Sequence, residues 1–332
     1  MHKGIVDPDF SAEHVLSRDP WLYVELWLKR QRKHEALSYW LQARRFAEAS
    51  SLLDVQAAPL TMYYAFLNAS KALLTQKGLS KGKHHGVSGS RPEDARASLA
   101  TETVNFQTGG VLPDLCGYLG ESTQKTSYSL KDILWNIPFV HRAFLLTLTS
   151  TPELFIPLEQ SRYIRESGTR EVWFEAQIIP RFTDKRKLVN IPPSFEHFER
   201  DGNTYVRRKK RCRFCMNQDS ADDKIRANTR LRNYHAQTRR VIVNITGNRD
   251  LWYLKRAHYK NEAGSRHTMS LMFAAMHRLS ELSRYDPKGL ESHLNGQANW
   301  LISEFVYGSM DQFIDQISSE ITGRQFWPPK VR

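Results

Sequence analysis

Apolar residues recur at helical spacing through the first 150 positions. Trp21, Val24 and Leu28 share one stripe, and Leu37, Trp40 and Leu41 open a second that Ala43, Phe46 and Ala47 carry toward Leu53. Asp19-Pro20 predicts a helix start, because a carboxylate can cap the first amides and proline's fixed φ suits the first turn. Pro59 opens a further helix, Leu60 to Gln76, with Gly78 placed to end it. Gly82 to Arg91 reads as a loop rich in Gly, Ser and His. A short apolar stretch follows at Val111 to Leu119, and Leu130 to Leu148 predicts a helix interrupted at Pro138.

The pattern changes near Ser150. Glu153 to Arg165, Glu171 to Ile179, Thr204 to Phe214 and Arg239 to Lys255 are rich in Val, Ile, Tyr, Phe and Trp. Turn residues separate them at Ser167-Gly168, Pro192-Pro193, Asp201-Gly202 and Gly247-Asn248, which predicts strands. Helical periodicity returns after Ser265, where Met269, Met272, Phe273, Met276, Leu279 and Leu282 form one stripe suited to a core. A last helix, Gln297 to Ile321, carries Trp300, Phe305, Phe313, Ile314 and Ile317. The expected fold is therefore α+β. A mainly helical bundle is built from both chain ends, residues 1–150 and 261–332, and a β-rich insertion occupies 151–260.

Charge sharpens that division. Residues 151–260 hold 24 Lys and Arg against 13 Asp and Glu, a net of +11 out of +13 for all 332 residues. A local cationic excess attracts polyanions, so nucleic acid, RNA or DNA, is the expected partner. The densest run is Arg207, Arg208, Lys209, Lys210 and Arg211, followed by Arg213. On a strand, alternate members face opposite sides, and one set could meet phosphates. Tyr234 lies beyond the run and could stack on bases. No apolar run approaches the ~20 residues of a membrane helix, and the first residues lack the apolar core of a secretory signal. With only three cysteines, this composition predicts a cytoplasmic protein with no membrane association.

Several chemistries find little support. Cys212-Arg213-Phe214-Cys215 has zinc-ligand spacing, but Cys116 is the only other thiol and no second ligand pair follows, so no metal is expected. The surrounding cations should lower the pKa of these thiols. Asp222-Asp223 reads as a solvated pair in a polar loop. Nucleotide-binding glycine motifs and a nucleophile elbow are absent, and no cofactor is expected.

Ala57-Ala58-Pro59-Leu60-Thr61-Met62-Tyr63-Tyr64-Ala65-Phe66-Leu67-Asn68-Ala69-Ser70-Lys71-Ala72-Leu73-Leu74, followed by Lys83-His84-His85-Gly86-Val87, resembles the YaaC-like family. Ser283 to Pro287 and Asp311 to Asp315 look like its C-terminal half. The first block also resembles the helical HEPN superfamily, many of whose members are ribonucleases or toxins of bacterial antiphage defence, while others only bind nucleotides or nucleic acid. That resemblance implies an Arg-x4–6-His pair for metal-independent RNA cleavage. A base takes the 2′-hydroxyl proton and a cation stabilises the phosphorane. The one such spacing is Arg230 to His235, outside the resembling block. His84 and His85, in a glycine-containing loop with Lys81 and Lys83, are the other catalytic or phosphate-contacting candidates. Two functions follow from these readings. One is a nucleic-acid-binding, HEPN-like defence protein that cleaves RNA. The other is a non-catalytic partner in a defence or toxin–antitoxin pair, acting with a protein of the same operon or a second copy of itself.

Overall fold

The computed structural model describes residues 1–12, 14–217, 219–247, 251–258 and 261–327. Along the chain run β1 (Val15–Leu16), α1 (Pro20–Arg30), α2 (His34–Ser50) and α3 (Ala58–Gln76). Next come β2 (Val87–Ser90), β3 (Thr103–Phe106), α4 (Val111–Tyr118), β4 (Thr126–Ser129), α5 (Leu130–Trp135) and α6 (His141–Thr147). The middle holds β5 (Phe155–Arg165), β6 (Glu171–Ile178), α7 (Lys185–Leu188), β7 (Phe195–Arg200), β8 (Asn203–Arg208), β9 (Cys212–Arg213), α8 (Ala221–Thr238), β10 (Ile242–Ile245) and β11 (Leu251–Lys255). The last elements are α9 (Thr268–Tyr285), α10 (Pro287–Leu294), α11 (Asn299–Thr322) and β12 (Phe326–Trp327). The protein is α+β.

Local chemistry accounts for the main helices. Asp19 accepts the Leu22 amide at 3.1 Å with Pro20 in the first turn, so α1 starts where the sequence placed it. Val24 and Leu28 are fully buried, and the Trp40 indole N–H donates to Trp21 O at 2.9 Å, locking α2 onto α1. Gly78 takes φ +70°, and the Leu79 amide returns to Leu74 O at 2.9 Å, a left-handed stop for α3. Helix α3 packs against α2, α9 and α11, with Phe66 stacked on Phe313 at 4.0 Å. Met269, Met272 and Met276 are fully buried, each contributing about 1.5–3 kcal/mol by leaving water.

The larger sheet is antiparallel, in the order β10-β11-β5-β6-β8-β7, with β9 also on β6. A bulge between Glu159 and Arg162, with Gln160 at φ +51°, shifts register along β5. Three features depart from the sequence reading. A three-stranded sheet, β2-β3-β4, sits among the first 150 residues, and β2 occupies part of the expected Gly82–Arg91 loop. The expected strand Thr204–Phe214 breaks after Arg208. Asp222 and Asp223 lie not in a loop but in the first turn of α8, where Ser220 accepts the Asp223 amide at 3.2 Å and donates to its carboxylate at 2.7 Å. Of the turn expected at Gly247-Asn248, the second residue lies outside the described residues.

Candidate functional site around His85

The loop after α3 is held by interlocked glycines. Gly86 has φ +77° and Gly110 φ +120°. A Cβ on Gly86 would stand 2.3 Å from Pro113 Cδ, and one on Gly110 2.5 Å from Gly86 N. The Val111 and Leu112 amides, at the start of α4, donate to His84 O and His85 O at 3.0 and 3.1 Å. The loop backbone is therefore fixed, and with it the two histidines.

His84 and Lys83 are exposed, while His85 is half-buried. Its Nδ1 is hydrogen-bonded to the hydroxyl of Tyr63, a buried residue of α3. Its Nε2 makes no hydrogen bond among the described residues. On α9, His277, Glu281 and Arg284 fall within an arc of about 60° over roughly 10 Å, as positions i, i+4 and i+7 must. Helix α9 brings all three to this loop. His277 packs edge-on against Tyr63 at 4.8 Å between ring centres and lies 5.7 Å from His85. Glu281 binds Arg278 at 3.1 Å and lies 3.7 Å from His277.

Burial, then the nearby Arg284, Lys71 and His84, lowers the pKa of His85, so its imidazole is neutral near pH 7. Burial, followed by His85, Arg284 and Arg278, takes His277 down to about 3. Burial also raises the Tyr63 hydroxyl, which therefore stays protonated. The cluster thus presents a neutral histidine, oriented by a tyrosine, in a cationic setting. Sequence reading singled out His85 but left His277, Glu281 and Arg284 aside. The signal was their polar spacing within an otherwise apolar helix. Lys81 is not free in this loop, since it pairs with Glu35 and lies over the Tyr39 ring at 4.9 Å.

The basic middle segment is split by the structure. Burial in β8 alternates, so Arg208 points inward, where its guanidinium donates to Tyr234 O, Thr238 Oγ1 and Gln237 Oε1, each at 2.8 Å. Tyr234 is itself buried and accepts the Phe174 amide at 3.1 Å. These two are core contacts rather than surface ones. Arg207 pairs with Glu196 at 2.6 Å, and Arg211 lies over Trp173 at 3.8 Å. Lys209, Lys210, Arg213 and Arg230 remain exposed, and Arg230 Nε donates to Arg213 O at 3.0 Å. No ion pair to these four is found among the described residues.

Arg230 and His235 are set apart, the first exposed and the second buried. Five residues along α8 set them about 140° apart. His235 is fully buried, with one ring nitrogen on the Tyr163 hydroxyl at 2.6 Å and the other on Gly4 O at 2.6 Å. It ties the N-terminal segment to α8. Burial raises the Cys212 thiol despite Arg230, Arg208 and Lys210, reversing the expected lowering, because desolvation outweighs their attraction. Among the described residues no group of three or more His, Cys, Asp or Glu is arranged to hold a metal, and no helix is long and apolar enough to cross a membrane.

Fold and site together define an α+β protein whose helical part carries a Tyr–His–Arg cluster beside a pinned glycine loop. The chain belongs to the YaaC-like family, whose sequence model, described as YaaC-like Protein, matches residues 9–321. No curated protein and no solved structure matches it.

Proposed function

We propose that this protein binds nucleic acid and cleaves RNA without a metal at the His85 cluster, in the manner of HEPN-like proteins of bacterial defence. One observation carries the reading. The half-exposed His85 is oriented by Tyr63 of the preceding helix and lies in the field of Arg284, which comes from α9 near the other end of the chain. With Nδ1–H donating to the Tyr63 oxygen, Nε2 offers a lone pair to a ribose 2′-hydroxyl. The 2′-oxygen attacks the adjacent phosphorus, His85 takes its proton, and Arg284 and Lys71 offset the charge that develops on the phosphate. The bond to the 5′-oxygen breaks, and exposed His84 is the candidate donor of that oxygen's proton. The exposed Lys209, Lys210, Arg213 and Arg230 support the binding half, as a cationic edge that meets the RNA backbone.

The test is incubation of the full chain with single-stranded RNA in excess chelator. Wild type should cleave, and His85→Ala and Arg284→Met should each lose about 100-fold or more in rate. Saturable binding without turnover would replace this reading with that of a non-catalytic partner. Cleavage undiminished in His85→Ala would remove the cluster from the chemistry.

A further inference from the structure

The two faces of the large sheet differ in character. One lies under α8, where Phe174, Ala176 and Val206 are buried and the Tyr234 hydroxyl accepts from the Phe174 amide. Cross-strand pairing fixes what the other face carries, because directly paired residues point to the same side. Gln177, Tyr205 and Phe198 form one row across β6, β8 and β7. Arg162, Glu175, Arg207 and Glu196 form the next, from β5 to β7. Trp173 stands beside Ile164, with Arg211 opposite it because Cys212 pairs with Val172. Trp173, Phe198 and Tyr205 are half-buried and belong to neither hydrophobic core.

Rings and guanidinium groups alternate on this second face. Phe198 and Tyr205 stack with 5.7 Å between ring centres. Arg200 lies over Tyr205 at 4.1 Å, Arg207 over Phe198 at 4.7 Å and Arg211 over Trp173 at 3.8 Å. Glu175 and Glu196 hold the first two of these guanidiniums, each at 2.6 Å. The charge that remains is cationic. Arg162, Lys209, Arg211 and Arg213 have no ion pair among the described residues, against Glu159 and Glu171 on the acidic side.

Two groups at the Trp173 end point to an occupant. Trp173 Nε1 and Arg211 Nη1 have no hydrogen-bond partner among the described residues. Both are N–H donors, so they call for an acceptor such as a phosphate oxygen or a base carbonyl. Four residues of β6 separate Trp173 from the row of Tyr205 and Phe198, a distance of about 13 Å that one extended strand can cover.

We propose that this face docks single-stranded RNA, with bases stacking on the rings and guanidiniums and phosphates meeting the unpaired cations. The proposal rests on the binding half of the reading above and names its substrate, an unpaired strand. A duplex keeps its bases stacked inside and offers such a face little besides phosphates, whereas unpaired bases stack on aromatic rings and arginine planes alike. Lys209 and Arg213 make the face continuous with the cationic edge already described.

Photocrosslinking locates the bound strand in the unaltered full chain. The probe is a short 2′-O-methyl oligouridine carrying 5-iodouridine, which His85 cannot cleave. Crosslinks should map to Trp173 or to the hairpin Phe198–Tyr205. By anisotropy, the same strand should bind more tightly than a duplex of equal length. Trp173→Leu and Tyr205→Leu should each weaken it about 10-fold or more, with the melting midpoint unchanged because both side chains lie outside the cores. Crosslinks elsewhere, wild-type affinity in both variants, or equal affinity for the duplex would each overturn the proposal and leave cleavage at His85 standing. Absence of binding to either form would remove it together with the binding half of that reading.

Discussion

Glu102, immediately before β3, is a fully buried carboxylate on which three segments converge. It accepts from Arg91 at 2.7 Å, Arg278 at 2.6 Å and His293 at 3.1 Å. Burial alone would raise its pKa, but the hydrogen bonds from His293, Arg278 and Arg91 outweigh it and hold the group at about 2 against an ordinary 4.5. A tenfold change in proton affinity is worth about 1.4 kcal/mol, so this displacement corresponds to roughly 3 kcal/mol of stability. Because the folded-state pKa is depressed, that stability is fully present above pH 4.5 and is lost as the pH falls through 2. Glu102→Gln should therefore cost about 3 kcal/mol at pH 7, in line with breaking a buried ion pair. Urea unfolding followed by tryptophan fluorescence at pH 7 and at pH 2 measures both halves of the argument. The gap between variant and wild type should be wide at pH 7 and should narrow at pH 2. A loss below about 1 kcal/mol at pH 7, or a gap of equal size at both pH values, refutes the reasoning. Arg278 sits beside His277 on α9, so Glu102→Gln should also loosen the His85 cluster.

Three further outcomes are expected. Gly86→Ala should lower stability by about 2 kcal/mol or more in a thermal melt, from the left-handed backbone and the clash with Pro113, and an unchanged midpoint would mean the loop is not pinned as described. Reversing Lys209, Lys210 and Arg213 to Glu should weaken RNA binding and flatten the salt dependence of log Kd by about 2, read by anisotropy across a salt series; an unaltered slope would take this edge out of the interface. Arg208→Met should leave the RNA salt slope as in wild type, because its guanidinium faces α8, and a flattened slope would show that Arg208 reaches solvent.

Much of the fold was legible because long apolar stripes carry their own period. Trp21 to Leu28, the block from Pro59 to Gly78 and the methionines of α9 all lie where spacing and caps placed them. Helix α8 was not read, because its buried stripe is only Ala227, Leu231, Tyr234, His235 and Thr238, diluted by charged neighbours. The Ser220-x-x-Asp223 capping pair was the available signal. Strands β2 to β4 are four residues each, made of Ser, Thr and Gly as much as apolar side chains, and they exist through pairing and through contact of β2 and β3 with α9 and of β4 with α5 rather than propensity. The same limit applies to the site. His85 and its loop stand out locally, whereas the field of Arg284 at His85 depends on how α3 and α9 pack. In the basic segment, charge could be counted, but which arginines turn inward was set by the alternation of β8 and the unseen α8.

The central claim is that a neutral His85 activates a ribose 2′-hydroxyl, and the chemistry of the cut ends tests it most directly. RNA cleaved by the full chain in chelator should carry 2′,3′-cyclic phosphate and 5′-hydroxyl termini, identified by mass spectrometry of the fragments. Fragments ending in 5′-phosphate and 3′-hydroxyl would mean that water, not the 2′-oxygen, attacks, and would contradict the account.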